Sequence, residues 1–187
     1  MKKILLVTIL VAFFCCAGSV WGLNHEGTKE FSDRDDTYLG KQKQFFRQSI
    51  PSIATQFVGL PYQLGGNPRQ SGTSDNSYLF FSIYSLAAKE AGLSYKGYLP
   101  MAHLIRNTVK VDGNDIQNGD LMVLKNNHAA MIYRIENTGT MYLIYASEKR
   151  QEIITFNSDN IVFSVYWLEN FKGFYRLSDA MLLPSIQ

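Results

Sequence analysis

The chain of 187 residues is close to electrically neutral, with 18 lysines and arginines against 16 aspartates and glutamates and a net charge of +2. This balance excludes a protein that binds nucleic acid through a strongly basic surface. Hydrophobic residues make up 46% of the chain, and its length suits one domain with a sizeable core. We therefore expect a globular protein.

The first residues predict a secretory signal peptide over residues 1–22. Lys2 and Lys3 precede an apolar run from Ile4 to Cys16, which is too short for a typical membrane-spanning helix. Cleavage after Ser19 or after Gly22 would fit the small residues found there, and the sequence does not choose between them. We predict an exported protein that works in the periplasm or outside the cell.

The two cysteines, Cys15 and Cys16, lie inside this predicted signal peptide. Cleavage would leave a mature chain with neither a disulfide nor a cysteine nucleophile. Lipidation of Cys15 or Cys16 is the alternative, and it would bring the protein to a membrane. The bulky Phe13 and Phe14 fit a lipidation signal poorly.

Residues 23–37 are polar and lack apolar periodicity, so we expect a flexible lead-in before a folded domain at residues 38–187. Within that domain, Ser49 and Pro51 predict the start of a short helix, with Ile53 and Phe57 on one face. This helix would directly precede the segment that carries the candidate site.

The clearest helical pattern follows Ser74 and Asp75, either of which can cap a helix. Gly92 ends the pattern. Apolar residues recur three and four apart at Leu79, Phe80, Ile83, Leu86, Ala87 and Ala91. A shorter helix is predicted to start at Pro100.

The pattern changes to strands after Gly119. Strands are predicted at Leu121–Leu124, Ala129–Ile135, Met141–Ala146, Ile153–Phe156, Ile161–Trp167 and Phe174–Leu177. Polar residues at 125–127 and 136–139 predict hairpin connections. Helices followed by antiparallel strands indicate an α+β domain.

One part of the chain is similar to an enzyme active site. Residues 60–66 read L-P-Y-Q-L-G-G, and Asp75, Asn76 and Ser77 follow at the predicted helix start. This resembles the P-Y-x-W-G-G and D-C-S motifs of the NlpC/P60 family of papain-like cell-wall cysteine peptidases. Leu64 stands in place of the tryptophan and Asn76 in place of the nucleophilic cysteine. An amide cannot become a thiolate, so the resemblance implies a relative without the family's nucleophile.

Further motifs follow in the family's order. Leu99 and Pro100 stand where the family has L-P-R, and residues 118–121 (N-G-D-L) where it has P-G-D-L. Residues 128–133 (H-A-A-M-I-Y) correspond to H-V-G-I-Y, and residues 144–146 (I-Y-A) to I-H-A. The resemblance implies a papain-like fold with helices packed on an antiparallel sheet.

Asn76 would stand in the first turn of a helix, where free amides and the helix dipole favour a thiolate. One interpretation is that its amide binds a ligand carbonyl or carboxylate in a retained cleft. The other is that it helps Asp75 to cap the helix. Ser77 is a possible replacement nucleophile, but adjacent helical residues point about 100 degrees apart, so its hydroxyl should not lie where the cysteine sulfur would.

The resemblance implies that His128 corresponds to the general base and Tyr145 to the polar residue that orients it. Without a thiol to deprotonate, His128 would line the cleft as a side chain that can form hydrogen bonds or change its charge with pH. Tyr145 could hydrogen-bond through its hydroxyl or simply pack in the sheet. Tyr62, Gly65 and Gly66 indicate either a retained cleft wall or a buried tyrosine beside a structural turn.

No sequence pattern predicts a metal site or a cofactor. The preferred hypothesis is a bacterial cell-envelope protein without catalysis that binds a peptidoglycan stem peptide or an envelope protein. The residues expected to bind are Tyr62, Gly65, Gly66, Asp75, Asn76, Ser77 and His128. One alternative is an active peptidoglycan amide hydrolase or transferase that uses Ser77 or an activated water. Another is a structural component whose aromatic segment at residues 165–175 docks onto a protein, although that segment can equally be core.

Overall fold

The computed structural model describes residues 26–185, with side chains from residue 37 onward. The predicted signal peptide, Cys15 and Cys16 lie outside the described residues. Backbone contacts divide the chain into one unit at residues 1–40 and another at residues 41–187. The strands and the candidate site described below belong to the second unit.

Helix α1 spans Glu26–Ala54, so the helix start predicted at Ser49 and Pro51 is wrong. Pro51 lies inside the helix, where it lacks the N–H that would complete a backbone hydrogen bond. Phe46, Ile50 and Ile53 are buried at helical spacing, and burial of this stripe outweighs the missing bond. A short 3₁₀ helix continues the chain at Thr55–Phe57.

Three further helices are α2 (Pro68–Ser71), α3 (Asn76–Glu90) and α4 (Met101–Arg106). The prediction for α3 is confirmed, since Asp75 caps it and its apolar stripe, which includes Leu79, Phe80, Ile83 and Ala87, is buried. None of the helices in the described part of the chain has the length and apolar composition needed to cross a membrane.

Within residues 26–185, eight short strands follow the helices or lie between them. They are β1 (Leu93–Tyr95), β2 (Thr108–Val111), β3 (Leu121–Leu124), β4 (Ala129–Ile135), β5 (Met141–Ser147), β6 (Glu152–Asn157), β7 (Phe171–Leu177) and β8 (Leu182–Pro184). Strands β2 to β7 form an antiparallel sheet in the order β2-β7-β3-β4-β5-β6, and β1 pairs with β8. The α+β class is therefore confirmed.

The strand predicted at Ile161–Trp167 is wrong, because this segment is helical, with a π-helix at Phe163–Leu168. Phe163 and Trp167 are buried, and their four-residue spacing places both on one helical face. They pack against Met122, Leu124, Ala130, Ile132 and Leu143 on one face of the sheet. Packing against the sheet decides the conformation of this β-rich sequence.

Helix α3 contacts β4 and β5. With the π-helix segment also packed on the sheet, residues Leu121–Leu124 of β3 and Ala129–Tyr133 of β4 are buried throughout. Strands covered on both faces carry continuous apolar runs. This explains why the sequence identified β3 and β4 with their observed bounds.

A buried ion network lies away from the cleft described below. The carboxylate of Asp120 is fully buried and pairs with Arg47 at 3.3 Å and with Arg176 at 2.8 Å. Its Oδ2 also accepts the backbone N–H of Gln117 at 2.9 Å. The network joins α1, the turn before β3 and β7.

Candidate functional site

The start of α3 is fixed by the two carboxylate oxygens of Asp75. Oδ1 accepts the backbone N–H of Tyr78 at 2.9 Å, and Oδ2 accepts the N–H of Gly65 at 2.9 Å. Gly65 adopts a φ of +74°, which favours glycine. Asp75 thereby caps the helix and holds the preceding loop against it.

A close approach of the backbone explains the neighbouring glycine. A Cβ on Gly66 would lie 2.5 Å from Oγ1 of Thr73 and 2.9 Å from the carbonyl of Gln63. Gly65 and Gly66 therefore shape the turn that leads to α3. Neither of them lines the cleft.

Asn76 is the first residue of α3 and is tied to the sheet. Its Oδ1 accepts the backbone N–H of Ala146 at 2.7 Å. At this end of the two strands, the last residues at which β4 pairs with β5 are Met131 and Ile144. Asn76 therefore supplies the acceptor for the Ala146 amide, which lies beyond the pairing of β5 with β4. Capping is done by Asp75, and Asn76 instead links α3 to β5.

The other end of the Asn76 amide is unused. Oδ1 is engaged by Ala146, whereas Nδ2 has no partner within residues 26–185. Asn76 lines the cleft. Because Oδ1 is fixed, the side chain is held in place and retains two N–H donors for a ligand oxygen.

His128 lies in the connection between β3 and β4. Its backbone N–H donates to Oδ1 of Asn126 at 3.0 Å, and its carbonyl accepts from the N–H of Leu124 at 2.8 Å. The imidazole packs edge-on to the ring of Tyr145, with centroids 5.4 Å apart, and lies 5.6 Å from Trp167. Its two nitrogens have no hydrogen-bond partner among the described residues.

The environment of His128 favours its neutral form. Burial lowers the pKa of the imidazole below its usual value, because desolvation penalises the charged ring. Nothing in the described part of the chain fixes one tautomer by accepting a hydrogen bond from Nδ1 or Nε2. The ring contacts with Tyr145 and Trp167 help to position it.

Tyr145 belongs to the aromatic packing on the sheet. Its ring lies 5.7 Å from Phe156 and 5.4 Å from Trp167, both nearly perpendicular to it. Tyr145 does not line the cleft, and its hydroxyl has no partner within residues 26–185. It contacts His128 through the rings and not through a hydrogen bond that would orient a base.

The cleft has a volume of about 360 Å³. It is lined by Tyr62, Leu64, Asp75, Asn76, Ser77, Met101, Asn126, Asn127, His128, Ala129, Ala146 and Glu148. The structure thus brings together Tyr62, Asp75, Asn76, Ser77 and His128 from the sequence prediction. No motif pointed to Met101, Asn126 or Glu148.

Ser77 lies in the cleft, but its hydroxyl is already engaged. Its Oγ accepts the backbone N–H of Met101 at 3.1 Å. This contact holds the first residue of α4 against α3. Among the described residues there is no hydrogen bond between Ser77 and His128, the contact that a serine nucleophile and its base require.

Tyr62 forms part of the cleft wall. Its backbone N–H donates to the carbonyl of Gln151 at 2.9 Å, and Ser74 bridges to it from the other side. Partial desolvation, and then the charges of Glu148 and Asp75, raise the pKa of its hydroxyl. The hydroxyl therefore remains protonated at neutral pH and can donate to a ligand.

No protein-family model matches the chain, and no curated protein matches it either. Among solved structures, it is similar to an NlpC/P60 family protein from Bacillus cereus, with 22% identity and a TM-score of 0.51 over 70% of this chain. The chain spans only 40% of the length of that protein. It is also similar to the peptidoglycan hydrolase RipB from Mycobacterium tuberculosis, with 12% identity and a TM-score of 0.48, covering 73% of this chain and 66% of that one.

The likeness to the Bacillus cereus structure shows the fold. The chain has the α+β fold of NlpC/P60 proteins, and the fold implied by the ordered motifs is confirmed. Asn76 stands at the first residue of α3, where the motif resemblance aligns it with the cysteine.

Proposed function

We propose that this chain is an exported cell-envelope protein with the NlpC/P60 fold that has no cysteine-peptidase activity and binds a ligand in its cleft. The observation that carries the proposal is the position of Asn76. At the residue where the motif puts a nucleophile, an amide links α3 to β5 through the 2.7 Å bond to Ala146. A peptidoglycan stem peptide is the first ligand to test because of the family resemblance, and a segment of an envelope protein is the second.

The surroundings of His128 and Ser77 support the proposed loss of hydrolysis. The imidazole of His128 has no acceptor to orient it among the described residues, and its neighbour Tyr145 offers only a ring contact at 5.4 Å. Ser77 accepts a hydrogen bond from Met101 and has none with His128. A serine mechanism would need both side chains to rearrange.

The cleft itself supports binding. It has a volume of about 360 Å³, at the low end of the range of small-molecule sites. Apolar surface comes from Leu64, Met101 and Tyr62, and the free Nδ2 of Asn76 is available to a ligand oxygen. This mixture of apolar surface and fixed donors suits a short peptide.

Binding is tested by NMR titration of the mature, ¹⁵N-labelled protein with purified stem peptides. Shifts of signals from cleft residues are expected, and the double variant Tyr62→Ala, His128→Ala should reduce the affinity. Tyr166→Ala is the matched control, because Tyr166 is exposed on the π-helix and does not line the cleft. Equal affinity of the double variant and the wild type would contradict a cleft-bound ligand.

The hydrolase alternative is tested by mass spectrometry of peptidoglycan fragments after incubation with the protein. We expect no cleavage products. Products that disappear with His128→Ala would show that a nucleophile other than cysteine works in this cleft, and the proposal of an inactive relative would then be wrong.

Export is tested by fractionating cells that express the full-length chain. The expected result is a protein in the envelope or medium whose N-terminus is residue 20 or residue 23. An uncleaved protein inside the cell would contradict export.

A further inference from the structure

The charged groups of the cleft are all acidic. Among the described residues that line it, only Asp75 and Glu148 carry a formal charge at neutral pH, and none of the lysines and arginines of residues 37–185 lines the cleft. A ligand that enters with a carboxylate would face both negative charges without a cation to pair with. A ligand that enters with an ammonium group would be attracted.

The two carboxylates differ in what they already bind. Asp75 uses both oxygens within the protein, on the N–H groups of Tyr78 and Gly65. The Glu148 carboxylate has neither a hydrogen bond nor an ion pair within residues 26–185. Only Glu148 therefore offers a carboxylate free of internal bonds.

The backbone that carries Glu148 is held in place. Its carbonyl accepts from the backbone N–H of Gln151 at 3.3 Å and from the Gln151 side chain. The carbonyl of Gln151 in turn accepts the N–H of Tyr62 at 2.9 Å. These bonds connect the turn between β5 and β6 to Tyr62 in the cleft wall. The backbone of Glu148, which lines the cleft, is therefore held in place.

We propose that Glu148 is a specificity-determining residue, and that the cleft selects a small peptide or amino-acid derivative bearing a primary ammonium group. The ammonium pairs with the Glu148 carboxylate, while the free Nδ2 of Asn76 donates to a carbonyl of the same ligand. Leu64 and Met101 cover the aliphatic part. This inference rests on the proposed function, since it names the ligand class of the same cleft.

The probes are alanyl-lysinamide, which has two free amino groups, and the same compound acetylated at both amino groups. Both are titrated into the mature ¹⁵N-labelled protein at low salt, with the side-chain amide signals of Asn76 as one reporter. The free-amine probe is expected to bind about fivefold more tightly, as for a solvent-exposed charge pair. Added salt should shrink this difference.

The variant Glu148→Gln should lower the affinity for the free-amine probe to that of the acetylated probe and leave the acetylated probe unaffected. Glu152→Gln is the matched control, because Glu152 is an exposed carboxylate on β6 that does not line the cleft. It should preserve the fivefold preference.

The outcomes separate the two proposals. Equal affinity of both probes, unchanged by Glu148→Gln, would overturn the ammonium preference and leave peptide binding in place. A preference that persists in Glu148→Gln would assign the selection to another residue and overturn the role of Glu148. Failure of both probes to shift any cleft signal would count against peptide binding itself.

Discussion

The buried network around Asp120 and the cleft around Asn76 are both polar, but they differ in how much of their hydrogen-bonding capacity is used. Asp120 accepts bonds from Arg47, Arg176 and Gln117 and is fully buried. In the cleft, the imidazole of His128 and the Nδ2 of Asn76 have no partner within residues 26–185. The comparison indicates that the first centre stabilises the fold and that the second retains unused hydrogen-bonding groups.

The loss of stability on removing a side-chain group should depend on whether that group has a partner inside the protein. Buried charges that lose a partner are expensive, since the remaining charge stays desolvated. Groups without an internal partner can be removed with little loss of stability, and their removal should instead change binding. The following variants test this division in order of decreasing effect.

Asp120→Ala should have the largest effect on stability. It leaves the partly buried guanidinium groups of Arg47 and Arg176 without their ion-pair partner, and the expected loss in the free energy of unfolding is about 3–5 kcal/mol. Urea unfolding followed by circular dichroism measures it. Asp159→Ala serves as an exposed control and should change the free energy by about 0.5 kcal/mol or less. Similar values for the two variants would contradict a structural role for the network.

Asn76 should show an intermediate effect, because one end of its amide is used and the other is free. Asn76→Ala removes the acceptor for the N–H of Ala146, which is 2% exposed, and should cost about 1–3 kcal/mol. Asn76→Asp keeps an oxygen for that N–H, so it should be more stable than Asn76→Ala in the same unfolding experiment. Asn76→Asp also lacks the Nδ2 donor. Its affinity for the acetylated peptide should therefore fall. Equal destabilisation by both variants would argue against the bond to Ala146.

The titration of His128 should contribute a smaller, pH-dependent effect. The unfolded chain protonates this residue near pH 6.5, whereas burial lowers the pKa in the folded state. Above pH 6.5 both states are neutral at this position. As the pH falls through 6.5 towards the lower folded pKa, the unfolded state binds more protons and stability is lost.

This effect is measured as the difference in unfolding free energy between about pH 7.5 and about pH 5. The wild type should lose more stability over this interval than His128→Phe, which cannot titrate at this position. NMR titration of the imidazole should give a pKa below the ordinary value. A raised pKa would mean that an acidic partner stabilises the charged ring, contrary to the packing described above.

Tyr145→Phe should have the smallest effect. The hydroxyl has no hydrogen-bond partner among the described residues, so its removal should change the free energy of unfolding by about 0.5 kcal/mol or less. Tyr84→Phe is the matched comparison, because the buried Tyr84 hydroxyl donates to the carbonyl of Gly119 at 2.7 Å. That variant should cost about 1–3 kcal/mol. A large loss in the free energy of unfolding of Tyr145→Phe would indicate that the Tyr145 hydroxyl does form a stabilising hydrogen bond.

Much of the fold could be predicted from local patterns. The strands at Leu121–Leu124 and Ala129–Ile135 are apolar runs bounded by turn residues, and their predicted bounds match those observed. The segment Ile161–Trp167 misled the prediction, because its β-branched and aromatic residues favour a strand. The packing of Phe163 and Trp167 against the sheet favours the helical conformation instead.

The candidate site could be predicted where it coincides with sequence motifs. Residues of three motifs, including Tyr62, Asn76 and His128, line one cleft. Glu148 could not be found in this way. Its turn is held at the cleft because Gln151, in the same turn, accepts a hydrogen bond from Tyr62, and a contact between residues so far apart in the chain leaves no local pattern.

The hydrogen bond between Asn76 and Ala146 limits which residues can replace the asparagine. A sulfur atom is a weak acceptor, so a cysteine introduced at residue 76 would leave the amide of Ala146 poorly satisfied at the point where β4 and β5 no longer pair. A single substitution to cysteine at residue 76 would therefore weaken a bond between α3 and β5 without providing an acceptor that orients His128.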